Sequence, residues 1–105
     1  MATIRMMIIP ESVRNDDGST KTKYSAIGLE HFIGAQGDTP EQASRAFEFV
    51  LVSTVAACRA LSVAPFEGIA RAPKEYFDAF ERGHHEKTFT VPDADCTIQR
   101  RCAAA

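Results

Sequence analysis

The groups in this chain that could do chemistry are three cysteines, three histidines and fourteen acidic residues. A thiol becomes a nucleophile when a neighbouring base or cation holds it as thiolate. Cys58 falls on the apolar side of a helical stretch, where an inert thiol is expected. Cys96 and Cys102 lie in a C-terminal strand-like segment with nothing in the sequence to lower their pKa. No two cysteines form C-x-x-C, so neither a disulfide framework nor a zinc ribbon is indicated. His84 and His85 are adjacent and their side chains diverge, and no recognised ligand spacing joins them to His31. Acid–base chemistry needs two carboxylates at a fixed separation in different environments. Asp16-Asp17 and Asp93/Asp95 sit instead in turn-forming contexts. No glycine-rich phosphate loop and no G-x-S-x-G elbow occurs. Arg100 and Arg101 form the basic doublet; in a strand they face opposite sides, and a solvated edge strand is predicted. The expectation is a non-enzyme, with no catalytic residue, no metal site and no cofactor. A thiol- or metal-dependent enzyme is the less favoured alternative.

Alternation gives a first strand over residues 2–13, with Ile4, Met6 and Ile8 on one face and Arg5, Met7 and Ile9 on the other. Two largely apolar faces suit a central strand. Residues 14–22, rich in Asn, Asp and Gly, predict a hairpin loop. Strands are expected at 23–28 and 32–36. Thr39, Pro40 and Gln42 then give the chain's clearest local signal. Thr39 is a good N-cap, Pro40 fits the first helical position, and Gln42 completes a capping box. The helix is predicted from Pro40 to about Leu61. Its core face is read as Ala43, Ala46, Phe47, Val50, Thr54, Ala57, Cys58 and Leu61. The opposite face carries Glu41, Arg45, Glu48, Val52, Val55 and Arg59, with Phe49 flanking it. A second helix over 73–82 is expected to stop at Gly83. Strands at 87–91 and 96–102, a turn at 92–95 and a frayed tail at 103–105 complete the reading.

Length and composition set the frame. One hundred and five residues, 45% hydrophobic and 25% charged, suit one globular domain. A net charge of −2 supplies no global field for nucleic acid. Arg5 interrupts the N-terminal apolar run, and no signal peptide or transmembrane stretch is read. A cytoplasmic protein with reduced thiols is expected.

Tyr24-Ser25-Ala26-Ile27, Gly28-Leu29, Phe32-Ile33-Gly34-Ala35-Gln36 and Gly37-Asp38-Thr39-Pro40-Glu41-Gln42-Ala43 follow one another in a recognisable order. This arrangement resembles the HicB-like antitoxin family, best over residues 23–61. The resemblance implies a partial ribonuclease-H-like α+β fold. That is a three-stranded antiparallel sheet with a packed helix, here with an additional C-terminal helix and strands. It implies a single domain over 1–105, with a HicB-like core at 1–61 and a divergent extension at 62–105. It further implies a non-catalytic, antitoxin-like protein-binding module that occludes the active site of a small toxin ribonuclease. Gly28-Leu29-Glu30-His31 departs from the family's usual connection, and no DNA-binding module follows, so direct DNA binding is not expected. The alternative is a mobile-element or phage-type inhibitor, such as an anti-CRISPR protein, acting on a nucleic-acid-processing complex. The expected partner surface combines Leu29, Glu30 and His31 with Val52 and Val55, rimmed by Arg45, Glu48 and Arg59. A homodimer through the second helix face or a free sheet edge is also read.

Overall fold

A strand that is apolar on both sides needs cover on both sides, and the first strand receives it. A computed structural model of the protein describes residues 2–103. The chain runs β1 (Ala2–Arg14), β2 (Thr20–Gly28), β3 (Gly34–Gly37), α1 (Pro40–Ala60), α2 (Lys74–Arg82), β4 (His84–Val91) and β5 (Cys96–Cys102). A short 3-10 turn, Pro92–Ala94, joins β4 to β5. The α+β class holds, but the sheet has five strands in the order β3-β2-β1-β5-β4. Strands β1, β2 and β3 form the expected antiparallel meander. β5 then lies parallel to β1, from Ala2 beside Cys96 to Ile8 beside Cys102, and β4 pairs antiparallel outside it. The segment after residue 61 is therefore woven into the sheet and is no appendage to a separate core.

Each face of β1 has its own cover. Ile4, Met6 and Ile8 are buried with Phe47, Leu51 and Val55 of α1 and with Cys96 and Ile98 of β5. Met7 is buried on the other side with Leu29 and Phe80, and Ile9, Tyr76 and Phe77 pack around them. α2 thus closes the second face.

The local signals act as their chemistry requires. Asn15–Ser19 closes the β1–β2 hairpin, and Asp17 Oδ1 accepts bonds from the Ser19 amide at 2.9 Å and its hydroxyl at 2.6 Å. The Gln42 amide donates to Thr39 Oγ1 at 3.1 Å, which caps α1. The Gln42 side chain accepts from the Asp38 amide at 3.0 Å, one residue earlier than a capping box would place it.

Five readings change, the first being that β2 begins at Thr20, three residues earlier than expected, which shortens the hairpin loop. The buried ridge of α1 is Ala43, Ser44, Phe47, Leu51 and Val55, while Ala57 and Leu61 are exposed. Two apolar ridges run along this helix at i, i+4 spacing, and the one with Phe47, Leu51 and Val55 removes more apolar area from water. Phe32 and Ile33 lie outside β3 and close the preceding loop, with the Phe32 amide bonded to Ala70 O at 2.8 Å. β4 begins earlier than expected, at His84. Ala103 is tied down, its amide donating to Ile8 O at 2.9 Å, while Ala104 and Ala105 lie outside the described residues.

Candidate partner-binding surface

The connection after β2 turns inward. Leu29 is fully buried against Met7 and Phe80. Its amide donates to Arg5 O at 2.9 Å and its carbonyl accepts from Ala72 at 2.9 Å. Glu30 clamps Arg5, accepting from the backbone amide at 2.8 Å and from Nε at 2.6 Å. The His31 ring stacks on Phe66, with centroids 4.1 Å apart and planes 16° from parallel. Burial pushes the His31 pKa below its ordinary value; Glu30 opposes this and Arg71 reinforces it. The imidazole is therefore held neutral near pH 7.

These positions correct the expected contact surface. Leu29 and Val55 are buried, Val52 is half-buried against the core, and Glu30 and His31 are committed to Arg5 and Phe66. Leu29, Val52 and Val55 adjoin apolar layers that take their surface out of water, while Glu30 and His31 are held by an ion pair and a ring stack. Of the expected rim, Arg45 and Arg59 are exposed and Glu48 is half-buried.

What α1 does present outward is Phe49, 74% exposed. At about 100° per residue, Ser53, Ala56 and Ala60 continue its line along the helix. All three are exposed, and none carries charge. Leu61, 74% exposed, and Val63, 39% exposed, extend the apolar surface past the end of α1. The flanking position of Phe49 was the available sequence signal. A solvated helix face ordinarily carries charge along its length.

A second feature lies where α1 ends. His31, Val55, Arg59, Phe66, Asp95 and Cys96 help to line an open cleft of about 320 Å³. The Cys96 thiol donates to Ala94 O at 3.1 Å, and burial pushes its pKa up. Burial also raises Cys102, with Glu86 adding to the effect. Both thiols are poor nucleophiles in these settings. Among the described residues, no three His, Cys, Asp or Glu side chains gather into a metal-binding group.

The basic doublet is also corrected. β5 is an interior strand because β4 takes the edge, so Arg100 is only 3% exposed. Its Nε donates to Glu86 at 2.7 Å and its Nη1 lies 2.9 Å from Glu41 Oε1. Two carboxylates around one guanidinium make the burial tolerable. Arg101 faces the other side, as the strand alternation requires, and donates to Phe80 O at 2.9 Å. There the guanidiniums of Arg5 and Arg71 both lie against the Phe77 ring, 4.9 and 4.8 Å from its centroid.

Comparison with known proteins finds no matching family model, no matching curated protein and no matching solved structure. Among the described residues, no helix is long and apolar enough to cross a membrane.

Proposed function

We propose that the protein is a non-catalytic protein-binding module of the antitoxin-like kind, acting in the cytoplasm. The observation that carries this reading is the outward face of α1. It starts from a phenylalanine left 74% exposed, followed by small uncharged residues, with charges only at its borders. An aromatic anchor inside an uncharged patch with a polar rim is the anatomy of a protein contact. The HicB-like order of residues 23–61 supports the antitoxin form, in which the module blocks the active site of a small ribonuclease by covering it.

Affinity capture with the full chain and with Phe49→Glu tests the reading. The expected result is a small basic ribonuclease retained by the wild type, inhibited by it, and lost from the variant. Recovery of a large nucleic-acid-processing complex would replace the antitoxin form with the inhibitor form. Identical recovery by both chains would remove α1 from the contact and with it the argument for this function.

A further inference from the structure

We propose that the outward face of α1 is occupied by α1 of a second copy of this chain, lying antiparallel across a twofold axis. This inference rests on the protein-binding reading and names the occupant: the Phe49 contact is then between copies, and a ribonuclease is lost from Phe49→Glu because the pair that it meets comes apart.

The face is complementary to itself. With the axis passing between Ser53 and Ala56, Phe49 of each copy lies over Ala60 of the other. Ser53 and Ala56 meet at the centre. Small residues there let the helix axes approach to about 8 Å, the near end of the helix-packing range. Leu61 and Val63, both exposed, continue the apolar surface beside the position that the second copy's Phe49 ring reaches.

The charges fit the same arrangement. Glu48 and Arg59 are eleven positions apart in the sequence, about 20° past three full turns, so they flank the same side of the stripe. A twofold axis perpendicular to both helices keeps that side common to the two copies. It brings Glu48 of one copy within about two residues, or about 3 Å of axial rise, of the level of Arg59 in the other. Two such pairs form per dimer. Within one chain, neither side chain takes part in any ion pair or hydrogen bond among the described residues, unlike Glu41, Glu86 and Arg100. A parallel arrangement has its axis along the helices and sets this side of one copy against the opposite side of the other, so Glu48 and Arg59 would not meet, and the charges also choose the direction.

Sedimentation equilibrium of the full chain, from micromolar to millimolar concentration, tests this with four variants. Phe49→Glu should be monomeric with an unchanged circular dichroism spectrum, because the residue is 74% exposed and belongs to neither core cluster. Glu48→Arg and Arg59→Glu should each weaken dimerisation about tenfold. The double variant Glu48→Arg/Arg59→Glu should recover most of that loss, since it restores both pairs with the signs exchanged. A wild type that stays monomeric at millimolar concentration overturns the inference. So does a dimer indifferent to Phe49→Glu, or a double variant no better than the singles. A monomeric wild type that still binds another protein through Phe49 would sink the second-copy assignment and leave the protein-binding reading standing. A monomer whose protein contacts ignore Phe49→Glu would remove both.

Discussion

Arg100 is where charge and burial meet most sharply. Its guanidinium sits among core residues of β5 and reaches two carboxylates that themselves touch solvent. Removing one member of an ion cluster is costly when it strands its partners' charges in the interior, but both Glu41 and Glu86 reach solvent, so the main loss on removing Arg100 is packing. Arg100→Met is therefore expected to change stability by about 1 kcal/mol or less, while Arg100→Ala loses about 2–4 kcal/mol through the cavity it leaves. Urea unfolding of the two variants distinguishes these outcomes; equal losses would place the stabilisation in the charges and not in the packing. The cluster also sets an acid dependence. Arg100, with help from Lys87, holds the Glu41 carboxyl below its ordinary value of 4.5. A carboxylate depressed in the folded state contributes fully above its unfolded pKa and loses that contribution as pH falls through the folded value. Wild-type urea midpoints should thus fall as pH drops below 4.5, and part of that slope should vanish in Arg100→Met. His31 acts one range higher. Its folded pKa is below 6.5, so the unfolded chain takes up the proton first and stability starts to decline as pH passes down through 6.5.

At the scale of elements, α1 shows which features sequence can give and which it withholds. Its start was legible because capping is local: Thr39, Pro40 and Gln42 act within one turn. Thr39→Ala should cost about 1 kcal/mol in thermal or urea unfolding. The tight approach before it is equally local in effect. A Cβ on Gly37 would strike the Ala43 amide nitrogen and the Gln42 backbone, so Gly37→Ala should destabilise by about 1–3 kcal/mol. The end of α1 carried no glycine and was harder to read. Ser62 takes φ of 57°, its amide bonds Arg59 O at 3.1 Å, and the Val63 amide bonds Cys58 O at 3.0 Å. This is a Schellman ending with serine where glycine fits best. Ser62→Gly should raise stability by about 0.5–1 kcal/mol, read as an upward shift in the urea midpoint. The rotation of the helix was not legible, because ridges through Phe47–Leu51–Val55 and through Ala46–Val50–Thr54–Cys58 are both apolar. The ridge that covers the sheet is the one with the larger side chains, Phe47, Leu51 and Val55.

For the whole molecule, the two apolar faces of β1 announced a central strand, and the sheet order places it third of five. What lay beside it was not announced. Strand order depends on contacts between distant segments, and neither the alternation in Cys96–Cys102 nor the charge of Arg100 says that β4 will take the edge. The same gap misplaced Leu29, whose burial depends on α2 closing the second face. Phe80, fully buried there, makes that closure testable: Phe80→Ala should lose about 3–5 kcal/mol, by urea unfolding. The parallel pairing of β1 with β5 also bears on how the molecule is made. β1 is completed by β5, far later in the sequence, so the nascent chain carries Ile4, Met6 and Ile8 beside an unpaired backbone edge until Cys96–Cys102 has emerged. Long-range closure of this kind slows folding toward the millisecond-to-second regime and leaves an aggregation-prone row exposed meanwhile. The yield of native protein is thereby governed by the race between late strand insertion and capture of β1 by another unfinished chain.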